Sequence, residues 1–199
     1  MKIYQPLKLK GMKSLKLLLL VLLIFSTTIT QAQITIGDVT MPKKVKVGET
    51  ELELNGAGAR VKLFMDMYVA GLYLKTKSTD ANKIIDANEY IAIKLQIVSS
   101  LISSDKMIDA VNEGFKNSTN GKTAPIQKEI DQFIGAFKDE IKKGDVFDIF
   151  YVPNKATLVL KNGKLMAKIE GLEFKKALFG IWLSDVPADK NLKKALLGK

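Results

Sequence analysis

Arg60 is the one arginine in a chain that carries 30 lysines. A guanidinium presents a planar fork of donors that matches a carboxylate, and it keeps its charge when taken partly out of water. Its setting, Gly58-Ala59-Arg60-Val61, is small and apolar, within a β-prone run. A buried arginine is costly unless it is paired. Three arrangements are therefore open: an ion pair with an Asp or Glu of the same chain, exposure on the strand, or a ligand anion. Eight residues on, Tyr68 offers a hydroxyl and an apolar ring that could stand beside Arg60, or a plain core tyrosine. Asp105, Asp109 and Glu113 recur every four residues and look like an acidic cluster. Met107, Val111 and Phe115 share the same helical run on another face, so the acids are expected to point to solvent.

Composition removes most other chemistry. The 199 residues contain no histidine and no cysteine. The usual proton shuttle at neutral pH, the thiolate nucleophile, disulfides and the commonest metal ligands are all missing. Gly121 and Gly163 sit in turn-like settings, and no glycine-rich phosphate loop is present, so no cofactor is expected. The formal charge is +10, yet residues 1–32 hold five lysines and no acid; without them 26 basic groups face 21 acidic ones, a net of +5. The remaining lysines are scattered with few aromatics between them, which is not the pattern of a nucleic-acid surface.

Residues 1–32 have the form of a secretory signal peptide: a lysine-rich start, an apolar run at 17–25, then small and polar residues up to Gln31-Ala32-Gln33. Cleavage is expected after Ala32, with Thr30 as the second small residue. Met12 opens a cleaner signal than Met1. The run is short of the ~20 apolar residues of a membrane span, so no stable span is expected once the signal is removed. The mature domain is expected to be residues 33–199, periplasmic or secreted.

The elements that must position Arg60 and Tyr68 alternate in blocks. Residues 50–54 read as a half-buried strand and Asn55-Gly56 as a turn. Runs 59–64 and 68–74 are β-prone, with Met65-Asp66-Met67 as the bend between them, and 90–98 is a further strand. Two helices follow. Ser104 is placed as the cap of the first. The second opens at Pro125 and carries an apolar stripe through Ile126, Ile130, Phe133, Ile134, Phe137 and Ile141, stopped by Gly144. Strands at 146–152, 157–161 and 164–169 come next, the last two joined at Asn162-Gly163, and helices at 172–183 and 191–197 close the chain. This order predicts an α+β fold, an antiparallel sheet with helices on one face.

Side chains alternate across a strand, so Arg60, Lys62 and Phe64 share a face. Tyr68 joins them across a three-residue connection and moves to the opposite face across a two-residue turn.

Leu54-Asn55-Gly56-Ala57-Gly58-Ala59-Arg60-Val61-Lys62 followed by Tyr68-Val69-Ala70-Gly71-Leu72-Tyr73-Leu74 resembles the bacterial branch of the chalcone isomerase-like family. The stretch 143–151 and the stretch 171–187, with Ile181-Trp182-Leu183-Ser184-Asp185-Val186-Pro187, are also similar. The resemblance spans about residues 34–198. It implies an open-faced β-sandwich with a large antiparallel sheet packed against a layer of helices, and a cleft between the two. The family holds isomerases that close a chalcone and non-catalytic members, some of which bind fatty acids. In both, an arginine at the place of Arg60 meets the anionic part of the ligand. Tyr68 stands where the plant enzymes have threonine and resembles the fatty-acid-binding branch. Met107, Gly114 and Ile181 fall where the enzymes carry a tyrosine, an asparagine and a late cleft hydroxyl. The resemblance therefore implies a binding protein for a fatty acid or similar carboxylate amphiphile, with Arg60 and Tyr68 as ligand-binding residues. An isomerase acting on an enone, or a domain whose cleft is collapsed by Phe64, Phe115 and Trp182, are the alternatives.

Overall fold

The computed structural model describes residues 33–199. The expected signal segment, 1–32, lies outside the described residues. Among those described, no helix is long and apolar enough to cross a membrane.

A two-stranded hairpin, β1 (Ile34–Ile36) with β2 (Val39–Met41), precedes a seven-stranded antiparallel meander. Its strands follow chain order: β3 (Lys44–Val47), β4 (Thr50–Lys62), β5 (Met65–Leu74), β6 (Ile91–Ile97), β7 (Val146–Val152), β8 (Ala156–Lys161) and β9 (Lys164–Ile169). Helices α1 (Ala81–Asp86), α2 (Ser104–Ser118) and α3 (Gln127–Gly135) interrupt it before and after β6. Helices α4 (Leu172–Leu183) and α5 (Lys190–Leu196) end the chain. The α+β class and the helix-backed antiparallel sheet are as expected.

Alternation along each strand separates two apolar layers. Tyr68, Ala70, Leu72, Ile93, Leu95 and Ile149 belong to the layer that packs under the helices. Leu52, Leu54, Val69 and Tyr73 face the other way and are covered by Val39 and Met41 of the small hairpin. Tyr73 is fully buried there, and its hydroxyl donates to Pro42 O at 3.0 Å, pinning the link between hairpin and sheet. Helix α4 is apolar almost all round and is the central helix, with buried residues from Phe174 to Leu183.

Asn55-Gly56 is not a turn. β4 runs unbroken for 13 residues, and Asn55 sits at a bulge inside it, between Leu54↔Tyr73 and Gly56↔Leu72. The Asn55 amide donates to Leu196 O at 2.8 Å and Ser78 O at 2.9 Å, and its carbonyl accepts Ser78 N at 2.8 Å. Gly56 and Gly58 face α5 so closely that a Cβ would lie 2.0 Å from Ala195 O and 2.7 Å from Ala195 Cβ respectively. Gly56 is there because strand backbone packs on helix backbone, and Gly58 because the Ala195 and Leu192 side chains fill the space a Cβ would need.

The bend also falls elsewhere. Leu63 and Phe64 form a two-residue turn, and Met65-Asp66-Met67 belongs to β5. Ser103, not Ser104, caps α2, accepting Lys106 N at 3.3 Å; Ser104 Oγ donates to Phe137 O instead. α3 ends at Gly135, six residues short of the expected stripe, yet Phe137 and Ile141 remain buried because the chain turns there to fold over β7.

Lys175 of α4 is completely buried. Its ammonium donates to Ile84 O at 3.0 Å, Ile85 O at 2.7 Å and Ala87 O at 2.8 Å, closing the C-terminal end of α1. Burial pulls its pKa down to about 8, while three acceptors fit the three protons of the charged form. Replacing Lys175 by Met orphans those carbonyls. Thermal unfolding of K175M is expected to show a loss of about 2–4 kcal/mol, a Tm lower by roughly 5–15 °C. An unchanged Tm would refute this role.

Candidate functional site

The site begins with strand register. The tight turn at Leu63-Phe64 pairs Lys62 with Met65 and Val61 with Asp66. Carried on, that register would put Tyr68 on the face opposite Arg60. A bulge at Met67 adds one residue to β5, and Arg60 then lies directly across from Tyr68. Directly opposed residues project from the same face, toward the helices. The two-residue turn is present and the predicted loss of the pair is not, because the bulge restores the parity. Met67 O accepts both Val98 N at 3.0 Å and Ser99 N at 3.2 Å, which holds the bulge against the end of β6.

Arg60 is half-buried, with its guanidinium carbon 5.7 Å from the centre of the Tyr68 ring. None of the ion pairs among the described residues includes Arg60. The nearby acid, Asp189, is otherwise engaged. One carboxylate oxygen accepts Asn191 N at 2.8 Å and Leu192 N at 2.9 Å as the cap of α5, and the other accepts Val61 N at 3.2 Å. Of the arrangements the sequence left open, the internal ion pair and the fully exposed strand arginine are both absent.

Tyr68 is 4% exposed. Its hydroxyl oxygen accepts a hydrogen bond from Trp182 Nε1 at 2.9 Å. Its own proton has no acceptor among the described residues. Burial pushes its pKa up; Arg60 and the Trp182 donor pull it down, and Asp189 pushes it up again. The upward direction keeps Tyr68 a neutral donor at physiological pH.

Two connected spaces share Arg60 and Tyr68. The outer one, about 170 Å³, is rimmed by Lys62, Leu101, Lys106, Asp109 and Glu113. The inner one, about 30 Å³, reaches between sheet and helices to Met107, Phe137, Phe147, Ile181 and Trp182. Its polar groups are Arg60, Tyr68 and Trp182 alone. Aromatic rings close its inner end: Phe137 lies between Phe133, edge-on at 5.1 Å, and Phe147, tilted at 5.0 Å, and Phe133 lies 5.8 Å from Phe115.

The acids of α2 are exposed, as expected, and no group of acids among the described residues is placed to hold a metal. Met107 and Ile181 line the inner space, whereas Gly114 does not: a Cβ there would meet Ile181 Cγ2 at 2.8 Å, so the glycine seats α4 against α2. Of the residues named for a collapsed cleft, Phe115 and Trp182 are buried, but Phe64 is fully exposed at the turn. Trp182 went unassigned to the site in the sequence; only its indole N–H, a donor in an apolar helix that must find an acceptor, could have marked it.

A seven-stranded antiparallel meander backed by helices is the architecture of the chalcone isomerase-like class of fold. The chain belongs to the chalcone isomerase-like family, whose model matches residues 32–198. The crystal structure of a fatty-acid binding protein from Arabidopsis thaliana superposes with a TM-score of 0.67 at 17% identity, covering 83% of this chain and 96% of that one. No curated protein matches the sequence.

Proposed function

We propose that the protein binds a fatty acid or similar carboxylate amphiphile without transforming it, with Arg60 and Tyr68 holding the carboxylate. The observation that carries this is a cation and a buried hydroxyl proton, adjacent on one face, neither with an acidic or acceptor partner among the described residues. A carboxylate accepts from both at once, and charge-assisted hydrogen bonds of this kind are the strong ones. The tail then lies against Met107, Ile181 and the phenylalanines. The space present is smaller than the roughly 300–1,000 Å³ of common ligand pockets. A long chain therefore has to displace Phe137, and a short or medium chain fits with less rearrangement. The Arabidopsis fatty-acid binding protein shares the fold, and its ligand class supports this reading. The non-catalytic part of the reading rests on the apolar residues, Met107 and Ile181, where the enzymes of the family carry polar groups.

The binding experiment is calorimetric titration with a series of saturated fatty acids. Arg60→Gln should weaken binding about 10–100-fold and Tyr68→Phe about 2–10-fold, with Tm unchanged within a few degrees. Methyl esters should bind wild type and R60Q alike. Equal affinity of R60Q and wild type for the free acids, or turnover of a chalcone by the wild type, would defeat the reading.

We further place the working form outside the cytoplasm, processed after Ala32. The intact mass of protein recovered from its host should then correspond to a chain starting at Gln33; a mass that includes residues 1–32 would contradict it.

A further inference from the structure

The β4–β5 turn uses residues that turn chemistry disfavours. Leu63 and Phe64 have φ of 51° and 64°, the left-handed region where a bulky side chain is strained. Two-residue turns of this geometry favour Asn-Gly, and the same sheet uses that pair at Asn162-Gly163, with φ of 51° and 81°. The apolar pair brings no packing in return: Leu63 is 77% exposed and Phe64 102%. Eight large apolar side chains are exposed among the described residues; Val61, Leu63, Phe64 and Met65 are four of them, and a fifth, Leu101, lines the outer space beside Lys62. Five of the eight thus lie on the β4–β5 turn, its flanks and the adjoining rim of the cleft.

We infer that the Leu63-Phe64 turn is a docking tip that enters the surface of an anionic phospholipid bilayer and brings the mouth of the Arg60 cleft against it. An apolar point with basic groups behind it is what an interfacial site requires: rings and alkyl groups at the acyl boundary, cations at the headgroups. Lys62 adjoins the tip, and Lys106 and Arg60 stand on the same rim. The acids that face this rim are Asp109 and Glu113 of α2, with Asp66 on the flank of the turn. These three acids balance the three cations of the rim, so apolar insertion carries the binding, and the preference for an anionic surface comes from the charge of the domain as a whole. The domain as a whole is basic, +5 over residues 33–199. The choice of a bilayer over a second copy of the chain follows from the cleft. Resting on the ligand reading above, an amphiphile dissolved in a membrane would enter tail and carboxylate through the very opening that the tip presses to the surface.

The test replaces the tip by the turn the sheet already uses. Leu63→Asn with Phe64→Gly removes the apolar point and relieves the strain, so the fold is expected to be kept or stabilised. Wild type and variant, both recovered from the host in processed form, are sedimented with vesicles of phosphatidylcholine and phosphatidylglycerol. The expected result is binding by wild type, at least tenfold weaker binding by the variant, and equal affinity of both for decanoate without vesicles. In a second variant, Phe64→Trp, the new indole should be quenched by brominated phosphatidylcholine, against the buried Trp182 as background. Equal vesicle binding by wild type and tip variant, no binding by either, or an unquenched indole overturns the inference. So does a tip-dependent dimer that ignores vesicles. Tip-dependent vesicle binding with no decanoate binding supports the docking surface and defeats the ligand reading alone.

Discussion

Two hydrogen-bond donors, the Arg60 guanidinium and the Tyr68 hydroxyl, share one crevice with no acidic partner bonded to either among the described residues, and the surrounding elements are what bring them together. A guanidinium half out of water and a phenol proton wholly out of it both lose hydration on folding. In most proteins such groups are answered by an internal acid. Here the adjacent acid, Asp189, gives both its oxygens to backbone N–H groups at the start of α5 and at Val61. The Trp182 indole donates to the Tyr68 oxygen, which leaves the hydroxyl's own proton without an acceptor among the described residues.

Positioning them takes two compensating irregularities in one strand pair. The bulge at Asn55 shifts the β4–β5 register by one residue, and the bulge at Met67 shifts it back. Between the two lies the segment in which Gly56, Gly58 and Arg60 share the helix-facing side. The two glycines let α5 lie directly on the strand, and Asn55 ties the end of that helix down through Leu196 O. With α5 so held, its cap Asp189 stands near Tyr68 and Arg60 without forming an ion pair with Arg60. Motif, bulges and terminal helix form one device, which explains why the Asn-Gly-Ala-Gly-Ala-Arg run is so compact.

Much of this was legible in the sequence, for physical reasons that can be named. Period-2 alternation revealed the strands 91–97 and 146–152, and Asn162-Gly163 revealed its hairpin because turn chemistry and turn coincide there. The same logic failed at Asn55-Gly56, where the pair serves a bulge and a helix contact, and at Leu63-Phe64, where a turn is made from residues that never advertise one. The short strands β1 to β3 and helix α1 left no periodicity long enough to read. Arg60 and Tyr68 were singled out by chemistry and resemblance, but their juxtaposition depends on a bulge that only the register exposes. The aromatic filling of the cleft, with Phe137 between Phe133 and Phe147, follows from α3 ending early and could not be read from its apolar stripe.

The central claim is that the positive charge of Arg60 meets a ligand carboxylate inside the cleft. It is tested most directly by carbon-13 NMR of decanoate labelled at its carboxyl carbon, titrated with acid while bound. Beside Arg60 the carboxyl should stay ionised well below the ordinary carboxylate range, and in the Arg60→Gln protein its titration should move back up. A bound carboxyl that titrates at or above the free acid's range in the wild-type protein would contradict the account.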